Sequence, residues 1–339
     1  MKNWAQYNRS LINRGSLTIW ITPEVLEGWR DQRPAQRGAQ FTYSDLAIEA
    51  LLALKFLLKL PYRATQGFGQ SLFDLLEIDL SVPDYTTLSR RAKTITVELP
   101  QQSEAVRHIV MDSTGLKVYG EGEWKVRQHG YSKRRTWRKI HLSLNPETQD
   151  IVAVHLTANS VTDGQGGVTM LQELPNAPDR LTGDGGYDKR PFYEACQKLL
   201  ITHIIVPPQH NAKIWQHGNS KLPPHPRDEN LRYIRRHGRK KWKRDHDYHQ
   251  RSLAETTMFR YKRLFGADLQ SRTEPSQRNE ARLKCAILNR MTRPWDYLIA
   301  IRLLTFSGRL TTTFLSFWLC AFSCNKAITN YELRATSDE

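Results

Sequence analysis

The stretch His108-Ile109-Val110-Met111-Asp112-Ser113-Thr114-Gly115 marks the point where the period of this chain changes. Its first four residues favour β-structure, so they predict a buried strand with the Asp112 carboxylate at its end. Downstream, Arg138–Leu144 and Ile151–Thr157 are two more strand-like runs, and Asn145-Pro146-Glu147-Thr148 between them predicts a hairpin turn. A helix is expected near Val168–Leu174, a strand at Arg180–Gly183, a helix at Pro191–Leu200 and a strand at His203–Val206. Hairpin-linked strands followed by alternating strands and helices predict an α/β fold with a mixed sheet and helices packed on it.

Upstream of residue 108 the signals are helical. Thr42 and Asp45 make a capping-box pattern ahead of the apolar run Leu46–Leu60, which Pro61 stops. A second helix is expected over Arg63–Leu76, a turn at Val82-Pro83-Asp84, and a third helix over Thr86–Ile95 carrying Arg90, Arg91 and Lys93. This is a helix-turn-helix pattern with a cationic last helix, and it assigns DNA contact to those three cations. A three-helix bundle with solvated cations is the other reading. Leu99-Pro100-Gln101-Gln102-Ser103 reads as a linker, which divides the chain into a helical region at 1–102 and a second domain at 103–293.

The composition of the 339 residues, 39% hydrophobic and 25% charged, is that of a folded chain with a sizeable core. Lys and Arg number 50 against 34 Asp and Glu, a net charge of +16. Such an excess calls for a polyanion, and nucleic acid is the usual one, because cations near phosphates release condensed counterions. Part of the excess is concentrated in a polar, proline-bearing insertion at 207–247. There Arg232–Arg244 holds eight cations, Arg239, Lys240 and Lys241 among them, interleaved with Tyr233, Ile234 and Trp242 and with no acid. Cations with aromatics suit a DNA backbone and an unpaired base, while a solvated loop would share the composition. Cys196, Cys285, Cys320 and Cys324 form no CxxC pair, which favours a reducing cytosol. Met1–Ile21 lacks the apolar stretch of a secretory leader, and no apolar run reaches the ~20 residues of a membrane span. A cytoplasmic, nucleoid-associated protein is expected.

Beside DNA-contacting cations, carboxylates on ordered elements are candidates for holding Mg²⁺ or Mn²⁺, whose work at a phosphodiester is to activate an oxygen nucleophile and neutralise charge. Asp112 ends one strand, and Asp184 ends Arg180–Gly183 ahead of Gly185-Gly186-Tyr187; taken alone, each reads first as a turn residue. On a helix over Tyr248–Phe265, Tyr248, Arg251, Glu255 and Lys262 fall on one stripe beside an apolar arc. That stripe could border a cleft, or be a surface salt-bridge ladder. Asp163, Asp245 and Asp247 are rival acids. Asp163-Gly164-Gln165-Gly166-Gly167 reads as a turn, because it lacks the Lys-Ser/Thr of a phosphate loop. Trp124 and Trp137 are candidates to stack on a displaced base, or buried strand residues.

The Tyr248, Arg251, Glu255 and Lys262 spacing resembles the Tyr-Arg-Glu-Lys signature of bacterial insertion-sequence transposases of the Asp-Asp-Glu class. The surrounding 248–255, the block 120–130 and Asp184-Gly185-Gly186-Tyr187-Asp188 resemble the insertion sequence five family in particular. The resemblance runs over about 3–292. It implies a ribonuclease H-like catalytic domain with Asp112 on the first strand, Asp184 after the fourth and Glu255 on a late helix. It also implies two metal ions, with Asp112 shared between them, Asp184 binding one and Glu255 the other. Tyr248, Arg251 and Lys262 would contact DNA. The partners implied are the element's terminal inverted repeats and target DNA, bound as a homo-oligomer, with no membrane. The rivals are a nuclease of the same fold and a catalytically inactive, transposase-derived DNA-binding protein. Family members end soon after Met291-Thr292-Arg293, whereas 294–339 is an atypical Leu-, Phe-, Ser- and Thr-rich tail, read as a shifted frame or an accessory segment.

Overall fold

The computed structural model describes residues 18–21, 23–34, 38, 41–100, 106–118, 137–174, 176–216, 223–291 and 299–302. The chain separates into two compact units, one of residues 1–88 with 293–339, the other of residues 89–292. The division falls at 88/89 and not at the 99–103 linker. Residues 89–100 belong to the second unit because its last helix holds them: Asn279 Nδ2 donates to Ala92 O at 3.0 Å and Asn289 Nδ2 to Pro100 O at 2.8 Å.

In the first unit, Thr18–Ile21 (β1) pairs antiparallel with Ile299–Arg302 (β8). The rest of the 294–339 tail lies outside the described residues. Pro23–Glu27 (α1), Asp45–Leu57 (α2) and Tyr62–Leu75 (α3) follow. The cap of α2 is Ser44, whose hydroxyl accepts from Ala47 N at 3.1 Å, so the Thr42–Asp45 capping box is not formed. Gly69 lets α3 approach α2 closely, since a Cβ there would stand 2.9 Å from Leu51 Cδ2. The Asp84 carboxylate opens Tyr85–Arg91 (α4) by accepting from the Thr86 and Thr87 amides at 2.8 and 2.9 Å.

The second unit is built on a mixed six-stranded sheet. His108–Val118 (β2), Trp137–Leu144 (β3) and Ile151–Ala158 (β4) form an antiparallel meander. After Asp163–Gln172 (α5), Arg180–Gly183 (β5) pairs parallel to β2 on its other side. Arg190–Lys198 (α6) leads to His203–Ile205 (β6), parallel to β5, which gives the order β4-β3-β2-β5-β6. Pro226–His237 (α7) and Arg239–Asp245 (α8) carry the cationic run Arg232–Arg244 of the insertion on two helices. A 3₁₀ turn at Tyr248–Arg251 precedes Ser252–Phe265 (α9), and Asp268–Leu269 (β7) pairs parallel with the far end of β2. Glu274–Met291 (α10) closes the unit.

Two cores sandwich the sheet. Ile109, Met111 and Leu181 face Met170 and Leu171 of α5 and Phe192, Tyr193 and Cys196 of α6. Val110 and Leu144 face Ala254 of α9. The segment read as a glycine turn is the start of α5. Thr162 and Gln165 form a full capping box, and Gly166 and Gly167 are small because a Cβ would collide with the His141 ring and with Tyr187 and Phe192.

Buried ion pairs fasten the periphery. Glu280 accepts from Lys284 Nζ at 2.6 Å and from the Gln270 and Ser271 amides, tying α10 to the turn after β7. Asp188 accepts from Arg227 Nε at 2.5 Å and from Gln209 N at 3.1 Å, tying the loop after β5 to α7. Both partners of this second pair are buried, 1% and 5% exposed. Asp188→Ala therefore takes from a buried guanidinium its hydrogen-bonded counter-ion, leaving only Asp228 at 3.6 Å. A loss of about 3–5 kcal/mol is expected in denaturant unfolding.

Candidate active site

Register places the first two carboxylates. Met111 pairs with Gly183 across parallel strands, so the next residues, Asp112 and Asp184, stand side by side on one face of the sheet. β5 stops at Gly183 while β2 runs on to Val118, which leaves Asp184 on an open shoulder beside β2. Each carboxylate is oriented by a following amide: Ser113 N donates to Asp112 Oδ1 at 2.8 Å and Gly186 N to Asp184 Oδ1 at 2.9 Å.

The helix supplies the third. Ala254 is fully buried against Val110, and this close approach sets Glu255 above Asp112, two residues on from Val110. Arg251 lies between the acids, with Nη1 3.9 Å from Asp112 Oδ2 and Nη2 bonded to Glu255 Oε1. Further along the stripe, Lys262 Nζ donates to Thr114 Oγ1 at 2.5 Å. Tyr248, in the 3₁₀ turn, packs into a small core with Trp242 and Ile205 and lies beneath the Arg251 guanidinium.

A fourth acid joins them that sequence spacing did not single out. Asp163, at the start of α5, accepts from Ser113 Oγ at 2.5 Å and from Lys139 Nζ at 3.1 Å. The capping pattern Thr162-x-x-Gln165 was the legible signal for its helix. Burial, together with the Asp184 and Glu255 charges, pushes Asp112 up to about 6. Burial and the Asp163 charge also raise Asp184. Burial would raise Asp163 as well, but the hydrogen bonds from Ser113 and Lys139 hold it below the usual carboxylate range.

Among the described residues, no three His, Cys, Asp or Glu side chains stand close enough to enclose an ion in this arrangement. The chemistry of the donor set nevertheless suits a hard cation. Asp112 and Asp184 are half-buried carboxylates whose charge is under-compensated, and Glu255 is exposed and bonded to the Arg251 guanidinium.

The cationic candidates divide. Lys240, Lys243 and Arg244 of α8 line a groove of about 480 Å³ with Tyr248, His249, Arg251 and Ser252, so the basic helix adjoins the acids. Arg239 is committed to Pro208 O at 2.6 Å, and Lys241 does not line the groove. Trp242 is fully buried and donates to Asn230 Oδ1 at 3.0 Å, so it is a core residue and not a base-stacking one. Arg91 is only 5% exposed, a correction to its expected place on a DNA-facing surface, because α4 turns that side inward. Arg90 and Lys93 are exposed. Trp137 is 40% exposed at the start of β3, and Trp124 lies outside the described residues.

The fold and site define a mixed α/β unit in which one acid from the middle of β2 and one from the end of β5 face a helix and are flanked by a cationic groove. A family model described as a transposase DDE domain matches residues 105–290, and a second of the same description matches residues 12–121. The first covers more than half of the chain, and the chain belongs to the transposase DDE-domain family. Among solved structures it is similar to piggyBac transposase in a synaptic complex with hairpin DNA, at 13% identity over 83% of this chain and 73% of that one, with a TM-score of 0.34. Among the described residues, no helix is long and apolar enough to cross a membrane.

The raised Asp112 predicts a pH-dependent stability. Its folded value lies above its unfolded one, so the native state binds that proton more tightly, and the stability this contributes is lost as pH rises from about 4 through 6. In metal-free protein, Asp112→Asn removes the penalty. Denaturant titrations should find the variant up to about 3 kcal/mol more stable at pH 7–8, with the gain vanishing toward pH 4.

Proposed function

We propose that this chain is a bacterial transposase of the insertion sequence five family, which cuts DNA at an element's ends and joins the freed strand to target DNA. The observation that carries the reading is the parallel register that pairs Asp112 with Asp184 beneath Glu255 and Arg251, inside the segment that matches the family model. The sheet itself, an antiparallel meander extended by parallel strands beyond its first strand, suits the ribonuclease H-like domain that the sequence resemblance implies.

In this reading Asp112, Asp184 and Glu255 would hold two divalent ions, Mg²⁺ or Mn²⁺. Bound there, the ions lower the pKa of water and neutralise charge at phosphorus. The chain's own residues do the rest. Arg251 leaves Glu255 for a phosphate oxygen, exchanging one anion for another without leaving a charge unpaired. Lys262, held over β2 by Thr114, grips a second phosphate. The groove of Lys240, Lys243 and Arg244 guides the strand toward the acids, and Tyr248 supports Arg251 from below. Arg90 and Lys93 would hold terminal repeats as part of a helix-turn-helix, and a homo-oligomer would bring two ends together in the cytoplasm, at the nucleoid.

The deciding experiment uses duplexes ending in the inverted repeats that border the coding sequence. Asp112→Asn, Asp184→Asn and Glu255→Gln should each reduce cleavage and joining to background while DNA still binds. Cleavage by all three variants would overturn the reading, cutting without joining would mark a nuclease, and no metal-dependent cleavage by the wild type would mark a DNA-binding derivative. Separately, replacing Lys240, Lys243 and Arg244 with Ala should flatten the slope of log affinity against log salt by about 0.9 for each phosphate that these cations neutralise. An unchanged slope would remove the groove from the DNA interface.

A further inference from the structure

Asp163 stands beside the middle of β2, which carries Asp112, and the loop after β5, which carries Asp184. Its Oδ1 accepts from Ser113 Oγ at 2.5 Å, and the amide of the same Ser113 donates to Asp112 Oδ1 at 2.8 Å. Its Oδ2 lies over Gly186, the residue whose amide donates to Asp184 Oδ1 at 2.9 Å. A Cβ built on Gly186 would stand 2.9 Å from Asp163 Oδ2 and 3.0 Å from Asp184 Oδ1, so the two carboxylates meet in the space that a side chain there would fill. Lys139, from the neighbouring strand β3, donates to Asp163 Oδ1 at 3.1 Å and to Val161 O at 3.0 Å, which anchors the acid in place.

An acid in the first turn of a helix ordinarily serves that helix's amides and dipole. In α5 that work is done by Thr162 and Gln165, which complete the capping box between themselves. Asp163 is turned away from its own helix and toward β2 and the loop after β5. We infer that Asp163 is a positioning residue, which fixes the orientation of Asp112 through Ser113 and of Asp184 through Gly186. This inference rests on the metal-dependent reading of the site given above. Outer partners of this kind fix the direction of a ligand's lone pairs, and their loss characteristically weakens metal affinity or activity by about 10–100-fold.

The test compares full-length Asp163→Asn, Ser113→Ala, their double variant, Ser113→Thr and Thr162→Ala, with Asp112→Asn as the ligand reference. Mn²⁺ affinity is read without DNA from the electron paramagnetic resonance of the free ion, and kcat and KM from cleavage of the terminal-repeat duplex. Asp163→Asn should weaken Mn²⁺ binding and lower kcat by about 10–100-fold with KM for DNA unchanged. Ser113→Ala should fall in the same range, and the double variant should lose no more than either single one, as expected for groups acting in one chain. Ser113→Thr, which keeps the hydroxyl, should recover most of what Ser113→Ala loses. Thr162→Ala should lower the thermal midpoint through its lost cap while leaving Mn²⁺ affinity as it was. Wild-type Mn²⁺ affinity in Asp163→Asn, beside a loss in Asp112→Asn, would overturn the inference and leave the metal site standing. Should Asp163→Asn fail to fold, wild-type affinity in Ser113→Ala would overturn it equally. Wild-type affinity in Asp112→Asn would overturn the metal reading beneath it.

Discussion

The parallel pairing of β2 with β5 is the constraint on which the rest of the second unit depends. Strands about 4.8 Å apart carry paired side chains on the same face, so a register of Met111 against Gly183 forces Asp112 and Asp184 together. A slip of one residue would send one of them into the apolar core of α5 and α6. The register is held from below by that core, where Ile109, Met111 and Leu181 interdigitate with Met170 and Phe192. Hydrophobic packing on one face of the sheet therefore fixes an electrostatically unfavourable pair on the other. The Ser113 and Gly186 amides and Arg251 from above meet part of that cost, while the Asp163 charge adds to it at Asp184.

The helix face is set by size more than by charge. Ala254 is small enough to let α9 lie directly on Val110 and Leu144, and that approach brings Glu255 and Lys262 over successive residues of β2. The 3₁₀ turn before α9 takes Tyr248 off the ideal helical stripe and into the core with Trp242. The basic insertion thus has a small core of its own beside the sheet, with Asn230 joining Trp242 Nε1 to Ile204 O through two hydrogen bonds. Its cations are presented on an ordered helix rather than a loop, which costs less ordering entropy when a phosphate arrives.

Local pattern was enough to read the strands at 137–144, 151–158 and 180–183 and the helices at 45–57, 62–75 and 190–198, because each is a periodic run closed by turn chemistry. It failed where tertiary contacts override propensity. Ser113, Thr114 and Gly115 look like the end of a strand, yet β2 continues to Val118 because β3 pairs along it and β7 adds to its far end. The glycines of 164–167 look like a turn, yet they are helical because His141, Tyr187 and Phe192 crowd that face. Strand ends announced Asp112 and Asp184 as candidates, but choosing Asp184 over Asp188 needed the family resemblance. The structure adds a physical ground, since Asp188 is consumed by Arg227. Asp163 was only a rival on paper, as its partners come from Ser113 and Lys139, which no local spacing links to it. The burial of Arg91 was equally invisible, because which side of a short helix turns inward is decided by its neighbours.

The acids of this unit sort themselves by how their charge is met. Glu280 is buried, yet Lys284 and two backbone amides hold it below the usual carboxylate range, so its ionised form stabilises the fold. Asp188 is buried against a guanidinium in a two-bond fork, and Asp228 receives the Trp215 and Gln216 amides. Asp112 and Asp184 share the same partial burial without such compensation, and their charged forms are raised in energy rather than lowered. A core assembled for stability alone would have matched them with a fixed cation or replaced them with apolar residues. The nearest cation, Arg251, is instead partly exposed and divided between Asp112 and Glu255, which leaves it able to move. Uncompensated acids on a rigid sheet, beneath a displaceable cation, are what a site that takes its counter-charge from outside requires, and the strain they impose on the fold marks them apart from their structural neighbours.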